Sequence, residues 1–160
     1  MMKKLRWGTV VAFTAIAVVS SGVGVLAQSD KEGVIKQRRE AMKGMGKSMG
    51  AVKGYIEGKA DQAAAEKGAE TIAQTAPKID QLFPKGTSLD EFPDKKTGAK
   101  PAIWSEHDKF LAAQKNLIAE SQKLVTAVKS GDKAKVGEEF ASIGKNGCGN
   151  CHQTFRQKLD

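Results

Sequence analysis

Cysteine is almost absent from this chain: there are two in 160 residues, Cys148 and Cys151. A bridge between them would close almost no loop, whereas disulfides that stabilise exported proteins usually close long ones. Chemistry therefore explains the pair better than stapling does. Histidine is as scarce, with only His107 and His152. A zinc site built on the two thiols would need about two more Cys or His ligands, which so few histidines hardly supply. No segment alternates β-branched and polar residues at period two, so no sheet is expected. No run of Lys and Arg is interleaved with aromatics, which argues against nucleic-acid binding. Long apolar runs are missing too. The longest, Gly8 to Val19, falls short of the roughly 18 residues a spanning helix usually needs.

That short run reads instead as the middle of a secretory leader. Lys3, Lys4 and Arg6 precede it, Ser20, Ser21 and Gly22 follow it, and Val25-Leu26-Ala27 fits the A-x-A-like pattern of a cleavage site. Cleavage is expected after Ala27, leaving one domain from Gln28 to Asp160 in an exported, periplasmic protein; an uncleaved anchor is the alternative. The full chain carries a formal +8. Residues 1–27 hold three cations and no acid, so the mature domain is about +5. Such a surface suits solubility, or steering towards an acidic partner.

What remains is helical in its periodicity. Ser29-Asp30-Lys31-Glu32 has the form of a capping box. Ile35, Arg38, Met42, Met45, Met49, Val52 and Ile56 then recur at spacings of three and four on one face, predicting a helix over 30–57 that stops near Gly58. Asp61 caps a second helix through Ala63–Ala76, which Pro77 kinks or restarts before Ile79, Leu82 and Phe83. Residues 84–100, with Gly86, Pro93 and Gly98, read as a long loop. Ile103, Phe110, Leu117 and Leu124, and beside them Trp104, Leu111, Ile118 and Val125, form two adjacent stripes on a third helix. Gly131 and Asp132 end it and start a fourth, carrying Val136, Phe140 and Ile143. The fold class expected is all-α: an antiparallel four-helix bundle with a long loop between helices 2 and 3. Most of the stripe residues are simply core.

The two cysteines belong to Cys148-Gly149-Asn150-Cys151-His152, a C-x-x-C-H sequence. This is the attachment signature of a c-type haem. Two thiols three residues apart can add to the two vinyl groups of one haem, and the next residue offers an imidazole nitrogen to the iron. A dithiol redox centre is the rival, but that pattern usually opens a helix after a strand. Here it lies late in the last helix of an all-α chain. The expected cofactor is one haem c with its iron, held by Cys148 and Cys151, with His152 as an axial ligand.

A C-terminal motif continued by Phe155-Arg156, a four-helix pattern, and Pro101-Ala102-Ile103-Trp104 at the start of helix 3 together resemble the class II cytochromes c. That family comprises the cytochromes c′ and the low-spin cytochrome c-556 type. The resemblance covers nearly the whole mature chain. It implies that Arg38 approaches a haem propionate and that Met42, four residues on, meets the distal face of the iron. Residues at i and i+4 do share a helical face. Met at this position suits the low-spin branch, whereas high-spin members commonly carry Leu or Phe there and keep five-coordinate iron for small gases. Other roles stay open. Met42 fits the core beside Met45 and Met49, and Arg38 fits a cation whose stem crosses an apolar face. Trp104 reads as core, with haem-edge contact a weaker reading. His107 reads as a polar residue at the bundle margin, with a second ligand the weaker reading, and Arg156 as a screen for His152 or a solvated charge.

The function expected is one-electron transfer by a periplasmic carrier, not an enzyme. Its partners would be redox proteins, acidic ones being the natural complement. No nucleic acid and no stable membrane association are expected. The resemblance adds that helices 1 and 2 can form a homodimer interface.

Overall fold

A computed structural model describes residues 23–94 and 97–159, with side chains from residue 30 onward. The leader up to Gly22 lies outside the described residues. The helices are α1 (Val23–Ile56), α2 (Gln62–Thr75), the single turn α3 (Ala102–Ser105), α4 (His107–Ser130), α5 (Lys133–Ser142) and α6 (Asn150–Phe155). Two 3₁₀ turns, Ala76–Lys78 and Asp80–Leu82, prolong α2, and a π-helical stretch, Ile143–Gly149, joins α5 to α6. The last three segments run on as one rod. The bundle's four members are therefore α1, α2, α4 and the α5–π–α6 rod. Each packs on two neighbours, α1 on α2 and α5, and α4 on α2 and the rod. No strand occurs among the described residues, only an isolated antiparallel bridge between Ala99 and Arg156.

The elements follow the local chemistry. Asp61 Oδ1 accepts from Ala64 N at 2.8 Å, and Asp132 Oδ1 accepts from Ala134 N and Lys135 N, so both caps hold their helices' free amides. Gly131 closes α4 in the left-handed region at φ +72°, a conformation that costs glycine little. The two stripes that run through α3 and α4 divide as a bundle requires. Ile103, Phe110, Leu117 and Leu124 are buried, while Trp104, Leu111, Ile118 and Val125 are half-buried. On α1, Ile35, Arg38, Met45 and Val52 are buried, joined by Ser48 and Tyr55. Ser48 marks the tightest approach to α2. A Cβ on Gly68 would sit 2.8 Å from the Ser48 carbonyl oxygen, so only glycine lets the two backbones meet there.

Three boundaries differ from the sequence reading. Helix α1 begins at Val23, so Ser29 lies inside it and not at its start. A capping box acts where the backbone leaves the helix, and here the residues before it continue the winding. The third helix breaks at Glu106, whose φ/ψ of −121°/43° separates α3 from α4. The fourth is widened by its π-helical stretch. The long loop expected over 84–100 is present, and it buries Thr87, Ser88, Phe92 and Thr97.

Candidate functional site

One cavity of about 600 Å³ opens between α1, α4, the rod and the long loop. Small-molecule and cofactor sites usually measure about 300–1,000 Å³. Met42, Met45 and Met49 of α1 line it at spacings of three and four, together with Arg38. The rod contributes Cys148, Cys151, His152 and Phe155. Phe83 and Phe110 complete an aromatic wall, Phe110 meeting Phe83 edge-on at 5.1 Å and Phe155 at 5.4 Å between ring centroids. Five residues singled out from the sequence thus share one cavity: Arg38, Met42, Cys148, Cys151 and His152. Met45, Met49 and Phe110 had been read only as core. Their stripes gave no sign that the faces converge on a space rather than on each other.

Backbone constraints set the rod against this space. A Cβ on Gly147 would lie 3.0 Å from Leu117 Cδ1, and one on Gly149 would lie 2.9 Å from the Gly144 carbonyl oxygen. The motif is thereby drawn close to α4 at its first cysteine. Below it, Gln114 Nε2 donates to the Ala76 carbonyl at 3.0 Å and closes the floor between α4 and the end of α2. After the motif the chain is tied to the loop. Lys100 N donates to Phe155 O at 3.0 Å and Gln157 N to Gly98 O at 2.8 Å. A Cβ at Gly98 would come within 2.3 Å of the Gln157 carbonyl oxygen.

Arg38 is the most constrained side chain of the site, 4 % exposed. Its Nη1 donates to the Leu82 carbonyl at 3.3 Å and to Thr87 Oγ1 at 3.1 Å. Its Nη2 donates to the Thr87 carbonyl at 2.9 Å and to Thr97 Oγ1 at 2.6 Å. The guanidinium also stands over the Phe83 ring, 4.5 Å from its centroid. Burial lowers its pKa to about 10, so it stays charged at neutral pH. The snorkelling alternative is therefore not what the fold adopts: the head group is buried and fastened to the loop.

Both thiols are free and half-buried. Burial raises Cys148 and pushes Cys151 up to about 11. A dithiol redox centre needs the opposite, a thiol lowered towards neutrality. Burial, aided by the charge of Arg156, lowers His152, which favours the neutral imidazole that a metal ligand requires. Among the described residues no cluster of three or more His, Cys, Asp or Glu can hold a metal ion. Trp104 and His107 stand apart from the cavity. Trp104 Nε1 donates to the Phe83 carbonyl at 2.9 Å, and His107 is exposed with Nε2 3.4 Å from Asp80 Oδ1.

A family model described as Cytochrome C′ matches residues 33–156, most of the chain. The protein belongs to the cytochrome c′ family. A cytochrome c-554 of Cereibacter sphaeroides is 36 % identical over 78 residues, covering 49 % of this chain and 56 % of that protein. A cytochrome c-556 of Agrobacterium tumefaciens is 34 % identical over 88 residues, 55 % of this chain and 66 % of the other. The chain thus matches about half to two thirds of these relatives' length. The crystal structure of cytochrome c′ from Thermochromatium tepidum superposes with a TM-score of 0.73 at 26 % identity, covering 80 % of this chain and 97 % of that one.

As a cytochrome c′ family member the protein binds haem c with its iron, and its two cysteines are consistent with covalent attachment. The cavity fits that group on its own chemistry. Its walls are mostly apolar, as a porphyrin face needs; thiols, an imidazole and thioethers open on it, and a buried guanidinium stands at one edge.

Proposed function

We propose that this cytochrome c′ family member is a periplasmic one-electron carrier, its mature domain starting at Gln28. In this reading Cys148 and Cys151 form the thioether links, His152 and Met42 ligate the iron, and Arg38 is directed to a propionate. The observation that carries the reading is that a thioether, an imidazole and two thiols from separate helices line one apolar cavity. Bound haem c supplies an iron that exchanges one electron. The chain's residues supply the rest. His152 and Met42 would hold the iron through the same imidazole nitrogen and thioether sulfur before and after electron exchange, so little rearrangement would oppose transfer. Phe83, Phe110 and Phe155 line the same cavity and would exclude water from a bound haem. Arg38 already gives its four terminal N–H groups away, one to the Leu82 carbonyl and three to the loop. A propionate would therefore reach it through Nε–H or by displacing a hydroxyl acceptor.

A second reading, a five-coordinate protein that takes up nitric oxide or carbon monoxide, is favoured by the likeness to a cytochrome c prime variant from Alcaligenes xylosoxidans solved as its nitric oxide complex, at a TM-score of 0.69 and 26 % identity. Absorption spectroscopy separates the two. The carrier should give sharp low-spin bands with a weak far-red sulfur-to-iron band, and Met42→Ala should replace both with a broad high-spin spectrum. A wild-type protein that is already high-spin sinks Met42 ligation and leaves the gas-binding reading.

A further inference from the structure

The residues that line the cavity and are also exposed lie at its mouth. Every charged one is a cation: Arg39 and Lys43 from α1, Arg156 and Lys158 from the C-terminal tail. Among the described residues no Asp or Glu lines the cavity. The sequence around the mouth repeats this segregation. Between Gly33 and Ile56 the only acid is Glu40, against six Lys and Arg, and no acid falls between Ala141 and Leu159. Acids elsewhere hold lysines in pairs, as Glu70 does Lys129 at 2.8 Å and Glu120 does Lys123 at 2.8 Å. Among the described residues the ion pairs engage none of the four mouth cations. Two propionates of a haem would still leave the mouth positive, against its four exposed cations. Beside these charges lies Leu159, the one exposed large apolar residue among those described, 37 % exposed.

We infer that this rim, Arg39, Lys43, Arg156 and Lys158 around Leu159, is the docking face for the acidic surface of a partner protein. The inference rests on the electron-carrier reading. A rim of unpaired cations around a small apolar centre suits a weak, rapidly exchanging encounter steered by charge. Anionic membrane is the poorer occupant, because a surface-lying helix needs a broad apolar face, and no such face is exposed among the described residues.

The test uses the haem-loaded, isotope-labelled protein with an acidic flavodoxin as probe. At about 10 mM ionic strength, where the Debye length is about 30 Å, amide shifts should move in residues 39–47 and 144–159. At about 1 M, where that length falls to about 3 Å, they should return. The triple variant Arg39→Gln, Lys43→Gln, Lys158→Gln should bind about tenfold more weakly. A control of equal charge, Lys67→Gln, Lys78→Gln, Lys115→Gln, should lose no more than about twofold. Equal losses in the two triples, or shifts on another face, overturn the docking face. So does binding to phosphatidylglycerol vesicles that the first triple abolishes while flavodoxin binding is unchanged. The absorption spectrum of each sample, before and after dithionite, reports separately on covalent haem and its reduction. A docking failure is thereby distinguished from a failure of the carrier reading.

Discussion

Arg38→Met should be the most damaging single change at this site, and the reason is the loop rather than the cavity. The substitution keeps an unbranched, apolar stem of similar length and deletes the four-bond fork. Hydrogen bonds to a charged group contribute about 1.5–3 kcal/mol each, and a buried acceptor left without a donor costs about 1–3 kcal/mol. Thr87 Oγ1 still donates to the Pro84 carbonyl at 2.8 Å, and Thr97 Oγ1 still accepts from Ala99 N at 3.1 Å. The orphans are therefore the carbonyls of Leu82 and Thr87. Relief from burying a charge offsets part of the loss, as the depressed Arg38 pKa signals. The net is about 3–5 kcal/mol, the usual cost of breaking a buried charged network. Urea unfolding of the haem-loaded protein measures it, and hydrogen exchange localises it: amides of residues 86–100 should lose protection well before those of α4. Arg38→Lys keeps the charge without the fork and should recover less than half of the loss. A change below about 1 kcal/mol in Arg38→Met, with loop protection intact, would refute the clamp.

Three further outcomes follow from the same contacts. Gly98→Ala forces a Cβ onto the Gln157 carbonyl, so the loop must part from the tail; a loss of about 2–4 kcal/mol is expected, seen as early exchange of Lys100 and Gln157, and unchanged exchange would dismiss the clasp. Glu120 is buried on α4, and its hydrogen bond to Lys123, then that to Ser142, holds its pKa below the ordinary carboxylate range. Its stabilising contribution is complete above that range and fades as pH falls through the lowered value, so the gap in urea midpoint between wild type and Glu120→Gln should close below about pH 4; a gap that widens in acid contradicts the assignment. Asp132→Ala removes the acceptor of Ala134 N and Lys135 N and should cost about 1 kcal/mol in thermal unfolding, without altering the absorption spectrum.

Those contacts also show what was legible in the residue order. Asp61, Gly131 and Asp132 act through their immediate neighbours, and their roles could be read directly. The buried stripe of α4 could be read as well, because its period is a property of one helix. The C-x-x-C-H sequence carries its chemistry in five consecutive residues. Arg38 was placed on the inner face correctly, yet its partners Leu82, Thr87 and Thr97 lie 44, 49 and 59 positions away. No local pattern announces such a pairing. The loop's burial was not legible because, beside local bonds such as Ser88 to Glu91, it rests on that guanidinium and on the C-terminal tail, which are both distant in sequence.

The π-helical stretch was hidden for a different reason. Ile143, Gly147, Cys151 and Phe155 succeed one another at steps of four. In a regular α-helix with 3.6 residues per turn, each such step drifts by about 40°, or about 120° over the three. Helix 4 would then carry Phe155 well away from the face that Ile143 buries. Both are buried, at 4 % and 0 % exposure, and both ends serve the same side of the bundle. Winding with i→i+5 bonds over Ile143–Gly149 takes more residues per turn, and so removes much of that drift. Gly147 and Gly149 allow it, since each sits where a side chain would meet Leu117 or the Gly144 carbonyl. A run of steps of four with glycine at the second member was the signal available. It is weak, because the same steps read equally well as one edge of an ordinary amphipathic stripe. Only the fixed position of α4 against the rod decides between them. The widened turn is therefore a tertiary property, written into the local sequence as two glycines.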